Sequence, residues 1–368
     1  MSGVRRDMSQ VERALAGIRK GFEDCARGAS AEELWPILPA IADRAGITRL
    51  GAIGRLDCLG VEVWQAIRPD SRNYILAQGK GVTASEAVIG AVLESHEMFC
   101  SERIPWHIRA TPRELSVHLG YDIWSLPGVD PSLLEHTALA WTQCEELPTG
   151  RETFVPTGLV RLDYRTRAFS GAVFKAISTG LATGISAEDS TLAALLECLE
   201  RHVTICFGTE RLALDPIECP STGLRMFIER IRQRQVIVKL YRHRSPFGVS
   251  VVEAIIEDPM NLVPATAGTA ARLNLVEAVR AALLEAAQSR ATLLAGARDD
   301  LLDGHFEPQM LADTAVRTAK WSDVAAPQNC AELLKSINSS GMTVLRVNVC
   351  NKPVHVNRIL VSDLCAPL

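Results

Sequence analysis

Apolar residues recur at helical spacing in three long segments of the chain, and the clearest segment covers residues 187–206. Its apolar positions lie three and four residues apart, which predicts a helix that buries one face. These positions are Leu192, Leu195, Leu196, Leu199 and Val203. Similar patterns predict helices over 83–103 and 273–295. Glycines precede all three segments, so each unit is interpreted as a Gly-rich turn that enters a long helix. The glycines are Gly79, Gly81, Gly184 and Gly268.

Each of the three predicted helices carries two acidic or amide residues three positions apart. The pairs are Glu94 and Glu97, Glu197 and Glu200, and Glu285 and Gln288. Residues at this spacing leave a helix on neighbouring faces. The segments 86–94 (EAVIGAVLE) and 277–285 (EAVRAALLE) nearly coincide. Such repetition indicates one structural unit used several times, and we interpret it as one site assembled from three helices rather than as a solenoid.

The rest of the pattern predicts further helices and several consecutive pairs of strands. Helices are predicted over 8–27, 31–46 with Ser30 as N-cap, 221–234, 330–338 and shortly after 128–131. Strands are predicted over 48–56, 61–68, up to Gln78, and over 153–162, 235–242, 249–257, 343–349 and 354–361. Residues 104–150 are otherwise predicted to be irregular. The mixture predicts an α+β fold with mixed sheets covered by long helices, in which an N-terminal helical segment, 1–46, precedes one domain, 47–368.

Composition and charge exclude several classes of partner. The 368 residues are 47% hydrophobic and 22% charged, with a formal net charge of −4, so no basic field indicates a nucleic acid. No apolar run approaches the roughly 20 residues that span a bilayer, and no signal peptide is recognisable. We therefore predict a cytoplasmic protein without a membrane partner. The ten cysteines, Cys198 included, contain no CxxC motif, which argues against a zinc site and favours roles in packing.

The paired glutamates point to metal and phosphate chemistry. Crowded carboxylates need cations, and hard oxygen ligands suit Mg²⁺, which often shares its coordination with substrate phosphates. In such a site Arg201 and Arg290 could hold phosphate oxygens, and Lys80, between two glycines, could reach a phosphate or sugar. On a single helix these charges are usually solvated ion pairs, and a purely structural core is the alternative. Three occurrences favour the site, although the glycines around Lys80 do not form a Walker A loop.

These segments resemble the YcaO family. The matching stretches are 68–71 (RPDS), 79–81 (GKG) with the helix through Glu94 and Glu97, 178–184 (STGLATG) with the helix through Glu197, Glu200 and Arg201, and 285–290 (EAAQSR) followed by 296–300 (GARDD). They follow the family's order over about residues 45–365. The resemblance implies a single YcaO-type domain over 47–368 that binds ATP and Mg²⁺ through three glutamate-bearing helices.

The resemblance also implies an activity and a role for each matching residue. Family members use ATP to phosphorylate a backbone amide oxygen of a ribosomally made peptide, which then becomes an azoline, a thioamide or an amidine. Ligands of Mg²⁺, or residues that support them, are Glu94, Glu97, Glu197, Glu200 and Glu285. Contacts to the nucleotide are implied for Lys80, Gly81, Ser178, Arg201, Gln288 and Arg290. Catalytic roles are implied for Glu197, Glu200, Arg201 and Arg290.

The chain departs from the family pattern at several points. The usual Ser before the first glutamate is Gly90 and the usual Arg after the second is Met98, while the tail CAPL replaces a Pro-rich end. No adenylating-enzyme-like or peptide-clamp domain is recognisable, so we expect a leader-binding partner or direct peptide recognition. A stand-alone member resembles the thioamide-forming type, which works with a TfuA partner and a sulfide source; a cyclodehydratase or amidine-forming member is equally compatible. The resemblance favours a homodimer, and a non-catalytic nucleotide-binding subunit of a modification complex is the alternative.

Overall fold

The computed structural model describes residues 8–19, 29–127, 137–165, 174, 177–207, 210–260, 262–297, 317–322 and 326–364. The elements are α1 (Met8–Arg19), α2 (Ala29–Leu34), α3 (Leu38–Ala45), β1 (Arg49–Ala52), β2 (Glu62–Ile67), β3 (Leu76–Gly81), α4 (Ala84–Ser101), β4 (Ile108–Ala110), α5 (Pro112–Leu119), β5 (Leu139–Leu147), β6 (Arg151–Pro156), α6 (Thr157–Val160), β7 (Leu181–Gly184), α7 (Ala187–Phe207), β8 (Arg211–Leu214), α8 (Thr222–Arg232), β9 (Ile237–His243), β10 (Ser250–Glu257), β11 (Thr266–Arg272), α9 (Leu275–Leu294), β12 (Thr318–Ala319), α10 (Cys330–Ser339), β13 (Val344–Cys350) and β14 (His355–Val361). The predicted α+β class is confirmed.

The described strands form three sheets, and each of them places one strand at an edge beside a long helix. The strand orders are β1-β2-β3, β11-β10-β9-β8-β12 and β4-β5-β13-β14-β7, with β6 paired to β5. The edge strand β3 leads into α4, the edge strand β7 leads into α7, and the edge strand β11 leads into α9. The three helices predicted from apolar spacing are therefore three strand–helix units, one on each sheet.

The predicted Gly-rich turns before these helices are wrong, because the glycines lie within the edge strands. A Cβ atom at Gly79 would overlap the backbone of Ala87 in α4. A Cβ atom at Gly268 would overlap the backbone of Ala286 in α9, and Gly184 lies equally close to Ser190 in α7. The missing side chain thus lets each strand pack directly on its own helix.

Several other predicted boundaries need correction. The helix over 31–46 breaks at a 3₁₀ turn, Trp35–Ile37, because Pro36 lacks an N–H group and its ring disfavours the preceding helical turn. Helix α2 already includes position 30, so Ser30 is not the N-cap, and β1 ends at Ala52, with a 3₁₀ turn from Gly54 to Leu56. The strand over 153–162 ends at Pro156 and continues as α6, while the region 104–150 contains β4, α5 and β5. The second half of the helix over 8–27, the helix after 128–131 and residues 298–300 lie outside the described residues.

Each long helix belongs to a separate apolar core. Helix α4 packs Val88 and Val92 against Leu38 and Ile41 of the N-terminal helix α3. The corresponding residues of α7, including Leu195 and Leu199, pack against β14 and α10, and α9 packs against β9, β10 and α8. Because the opposite sides of the helices are free of this packing, their acidic residues can meet. Within the described part of the chain, no helix combines the length and the apolar character needed to cross a membrane.

Candidate functional site

The first acidic side chain of two helices binds a backbone amide of its own strand–helix unit. The Gln78 amide in β3 donates to Glu94 Oε2 of α4 at 2.9 Å. The Gly180 amide, directly before β7, donates to Glu197 Oε2 of α7 at 3.1 Å. The edge of a sheet presents N–H groups without strand partners, so a carboxylate here satisfies a donor that burial would otherwise leave unpaired. These side chains are consequently fixed in position by the fold.

The second side chain of each pair reaches the edge strand of a different unit. The Thr183 amide of β7 donates to Glu97 Oε1 of α4 at 2.6 Å. The Ala271 amide of β11 donates to Glu200 Oε2 of α7 at 3.2 Å. Gln288 Nε2 of α9 donates to the Gln78 side chain of β3 at 3.3 Å. The connections run from α4 to β7, from α7 to β11 and from α9 back to β3, so they close a cycle.

We call this arrangement the glutamate ring, and its members come from all three helices. They are Glu94, Glu97, Glu197, Glu200, Glu285 and Gln288. The three pairs converge because every helix uses its second residue to hold the neighbouring edge strand. If these residues formed only surface ion pairs, their side chains would point toward different surfaces. They converge instead.

Lys80 lies among acidic side chains from all three helices. Its ammonium group forms an ion pair with Glu285 of α9. It also interacts electrostatically with Glu94 in α4 and Glu200 in α7. Burial lowers the pKa of Lys80 to about 8, and the two glutamates oppose that effect. One cation thus contacts or faces carboxylates from all three repeats. Its side chain points toward the ring because side chains alternate between the two faces of β3.

Two members of the glutamate ring show the electrostatic cost of crowding. Burial, together with the charge of Glu94, raises the pKa of Glu97 to about 8. Burial raises the pKa of Glu197 to about 7, with a contribution from Glu200, while Arg201 acts in the opposite direction. Carboxylates that resist ionisation in this way are stabilised in their charged form by a cation. Their oxygen-only donor set fits Mg²⁺.

The family to which this architecture belongs is decided by a comparison of sequences. The family model described as "YcaO cyclodehydratase, ATP- and Mg²⁺-binding" matches residues 78–365, which is more than half of the chain and includes the whole glutamate ring. The chain belongs to the YcaO family. The predicted family is thereby confirmed, and ATP and Mg²⁺ are the ligands of that family.

Two curated relatives of this YcaO protein come from bacteria. An uncharacterized protein of Mycobacterium tuberculosis (strain ATCC 25618 / H37Rv) is 32% identical over 283 residues, which cover 74% of this chain. The aligned region is 63% of the length of that relative. An uncharacterized protein in the tfuA 3′ region of Rhizobium leguminosarum bv. trifolii is 29% identical over 307 residues, which cover 79% of this chain and 72% of that protein.

Solved structures share the fold. The structure of YcaO from Methanopyrus kandleri bound with AMPPCP and Mg²⁺ matches with a TM-score of 0.65 and 21% identity, and the match covers 89% of each chain. A heterocyclase in complex with substrate and cofactor matches with a TM-score of 0.72 and 17% identity, over 86% of this chain and 50% of that one. At these identities the comparisons establish the architecture of the YcaO domain.

Among the other residues that the sequence selected, Arg201 lies beside Glu200 of the ring, whereas Arg290 pairs with two aspartates that are not members of the ring. Arg201 Nε lies 4.0 Å from Glu200 Oε1, and nearly half of the Arg201 side chain, 46%, is exposed. Arg290 is buried, with Nε 3.2 Å from Asp57 Oδ1 and Nη2 4.0 Å from Asp258 Oδ2. The geometry therefore gives Arg290 a connection between α9 and two loops, and its contact with a nucleotide stays a prediction.

The two remaining predicted nucleotide contacts lie at the ends of edge strands. The Ser178 carbonyl accepts from the Leu181 amide at 3.0 Å, in the turn that presents the Gly180 amide to Glu197. Gly81 ends β3 against the Glu86 side chain, which a Cβ atom would meet. Both residues shape the backbone near the ring, and their predicted contacts with nucleotide also stay predictions.

Sequence reasoning missed the residues that hold the ring from the strand side. Gln78 and Lys80 are two residues apart in β3 and therefore lie on the same face of the strand. This spacing could have identified Gln78 as a residue of the site. Thr269 of β11 donates from Oγ1 to Glu200 Oε1 at 2.9 Å. Arg358 of β14 is 1% exposed, donates to the Ile177 carbonyl at 2.6 Å and lies close enough to Glu197 to act on its charge. No local motif marks Arg358, because β14 is distant in sequence from α7.

The two departures in the first repeat have a packing explanation. A Cβ atom at Gly90 would lie 3.3 Å from Gly79 Cα, so glycine permits the close approach of α4 and β3. Met98 is 8% exposed and belongs to an apolar cluster with Leu162 and Val356. A methionine at position 98 therefore contributes to the core beneath the ring, and the ring itself retains all of its carboxylates.

Proposed function

We propose that this protein binds ATP and Mg²⁺ at the glutamate ring and activates a backbone amide of a ribosomally made peptide. The observation that carries the proposal is the position of Lys80, which meets carboxylates from all three repeats of the YcaO domain. The family description and the nucleotide complex of the Methanopyrus protein support the same ligands. The reaction common to azoline, thioamide and amidine formation is transfer of a phosphoryl group to the amide oxygen.

Glu94, Glu97, Glu197, Glu200 and Glu285 would hold Mg²⁺, and they supply only oxygen donors. When ATP is bound with the metal, it supplies the phosphoryl group that turns the amide oxygen into a leaving group. A cation at the ring would favour the ionised forms of Glu97 and Glu197, whose pKa values are raised without it. Lys80 and the half-exposed Arg201, which contact Glu285 and Glu200, would neutralise phosphate oxygens there.

The proposal is tested with Glu197→Gln in the full-length chain. Glutamine keeps the size of the side chain and an oxygen for the Gly180 amide, but it removes the charge that a cation needs. We expect the affinity for Mg²⁺ and a non-hydrolysable ATP analogue, measured by calorimetry, to fall at least about tenfold, a change of roughly 1.4 kcal/mol. Formation of ADP with the genuine peptide should fall with it.

The matched control is Glu188→Gln, an exposed position on the same helix α7. This variant should bind the nucleotide and convert the peptide as the unmodified chain does. Equal binding and equal conversion by Glu197→Gln would contradict the proposal. A peptide encoded beside this chain, incubated with ATP and followed by mass spectrometry, distinguishes loss of water from replacement of oxygen by sulfur.

Thioamide formation is the product class that one observation favours. The Rhizobium relative lies in a tfuA 3′ region, and a TfuA-like protein is the partner expected for a stand-alone thioamide-forming enzyme. Incubation of the peptide with ATP, sulfide and both proteins should produce the sulfur-containing mass only when the partner is present. Loss of water without any partner would instead assign the chain as a cyclodehydratase.

A further inference from the structure

We propose that His96, Cys100 and Cys350 form a zinc site on the side of α4 that faces β13. His96 and Cys100 belong to α4 and Cys350 ends β13, and none of the three is a member of the glutamate ring. Imidazole nitrogen and thiolate sulfur are the ligands that Zn²⁺ prefers, whereas Mg²⁺ prefers the oxygen donors of the ring. The site would therefore select a different metal from the one proposed for catalysis.

The geometry of the three ligand atoms fits one ion. His96 and Cys100 lie one turn apart on α4, with His96 Nε2 3.4 Å from Cys100 Sγ. The ligand atoms of all three residues lie within 4.8 Å of one another. A tetrahedral ion with bonds of about 2.3 Å to sulfur and about 2.1 Å to nitrogen separates such ligands by roughly 3.6 Å, so only small side-chain movements are needed.

Without an ion, the cluster buries polar atoms that lack strong hydrogen-bond partners, which is energetically unfavourable. The His96 side chain is fully buried, and its Nδ1 atom accepts or donates no hydrogen bond within the described structure. Among the described residues, the hydrogen-bond contact of its Nε2 atom is the Cys100 thiol, which is a weak partner. A buried imidazole normally has stronger partners, because unpaired polar atoms lose their hydration without compensation. Coordination through Nε2 would replace the weak contact with a metal bond.

Two arginines lie near the cluster, and its third member is open to solvent. Arg44 and Arg68 lie close enough to act electrostatically on His96, and Arg44 also acts on Cys100. Burial raises the pKa of the Cys100 thiol and the charge of Arg44 opposes that effect, so a bound divalent ion would be needed to hold the thiolate. Two thiolates would balance the charge of one divalent ion. Cys350 is partly exposed, which gives an ion a path into the cluster from the end of β13.

The fold brings the third ligand to the cluster through an irregular strand. The pairing of β13 with β14 shifts between Asn348 and Cys350, where one residue is left out of the regular register. Such a bulge re-aims a side chain, and here it brings Cys350 to the helix. The absence of a CxxC motif thus excludes only the sequence-local type of zinc site. An ion here would fasten β13 to α4, the helix that carries Glu94 and Glu97.

The experiment uses the full-length chain purified with a non-thiol reductant, exposed to zinc and then dialysed. Elemental analysis should find about one zinc for each chain, as a single tetrahedral site requires. Replacement of zinc by cobalt should give a thiolate-to-metal charge-transfer band. In Cys350→Ser both signals should disappear, and because this residue is partly exposed at a strand end the variant is expected to fold. The matched control is Cys58→Ser, which removes an exposed thiol outside the cluster.

A third variant separates the two metal sites. Glu97→Gln alters the glutamate ring and should retain zinc in full, so failure of the proposed catalysis would leave the zinc result unchanged. Loss of zinc from Glu97→Gln, retention of zinc by Cys350→Ser, or no zinc in the unmodified chain would each overturn the proposal. A Cys100–Cys350 disulfide in the zinc-treated protein, found by mass spectrometry of unreduced peptides, would overturn it as well.

Discussion

Replacement of Glu97 by glutamine should stabilise the protein at alkaline pH while it abolishes activity. Glu97 accepts from the Thr183 amide and stands beside other carboxylates, and its pKa rises from 4.5 to about 8 because of burial and Glu94. A carboxyl group with a raised pKa contributes stability that is complete below its unfolded value, near 4.5. This contribution is lost as pH rises through the folded value, near 8. Glutamine cannot ionise, so Glu97→Gln is spared that loss.

The magnitude follows from the same pKa change. A rise from 4.5 to about 8, at about 1.36 kcal/mol for each pH unit, sets an upper limit of about 5 kcal/mol. Partial exposure of the side chain and relaxation of its surroundings reduce this limit, and we expect roughly 2 kcal/mol. The free energy of unfolding of Glu97→Gln should therefore exceed that of the unmodified chain by this amount above pH 8.5, and by little or nothing at pH 4.5.

The assay is urea denaturation followed by circular dichroism in magnesium-free buffer at both pH values. Comparing the two chains cancels the titration of shared groups that do not interact with Glu97; Glu94 and Glu197 are not among these, because their charges act on Glu97. Glu188→Gln serves as the control and should show no pH-dependent difference, because that side chain is exposed. Adding Mg²⁺ should reduce the difference in free energy of unfolding between the two chains, since a cation favours the ionised carboxylate. An equal difference in free energy of unfolding at both pH values would refute the argument that crowding in the ring raises the pKa of Glu97.

Two further predictions concern packing and the central cation. Gly268→Ala should lower the free energy of unfolding by about 3 kcal/mol in urea denaturation, because its Cβ atom would overlap the backbone of α9. At Gly223 in α8 a Cβ atom would meet open space, so Gly223→Ala should raise the free energy of unfolding by about 0.5–1 kcal/mol. Equal changes in the free energy of unfolding for the two variants would contradict the close packing at Gly268. Lys80→Met should weaken nucleotide binding at saturating Mg²⁺ about tenfold in calorimetry, as expected for a lost charged contact; unchanged affinity would place the phosphates elsewhere.

The helices were predictable because apolar spacing and glutamate spacing agree along the same segments. The predicted range 187–206 corresponds to Ala187–Phe207, and 273–295 corresponds to Leu275–Leu294. Helix α5 was missed in a region rich in turn residues, although Thr111 and Glu114 form a capping box that the sequence displays. The glycine error has a similar origin, since a glycine that permits close packing looks the same in sequence as a glycine that permits a turn.

The closure of the ring could not be predicted in the same way. The partners of Glu97 and Glu200 are backbone amides of Thr183 and Ala271, which carry no sequence signal. Which edge strand faces which helix depends on how three sheets pack, and the repeats themselves do not encode that order. Arg290 illustrates a placement that the sequence left open: it follows Gln288 by two residues on α9 and pairs with Asp57, and its predicted contact with nucleotide stays a prediction.

The structural and chemical roles of the ring are compatible because each carboxylate has two oxygens. Glu97 uses Oε1 for the Thr183 amide and Glu197 uses Oε2 for the Gly180 amide, and Oε1 of Glu197 accepts no hydrogen bond from the described residues. An oxygen held next to an anchored one is preorganised for a cation at little entropic cost. Glu200 instead uses one oxygen for Thr269 and the other for the Ala271 amide. Changes at Glu197 should therefore act mainly on metal binding, whereas changes at Glu200 should also loosen α7 from β11.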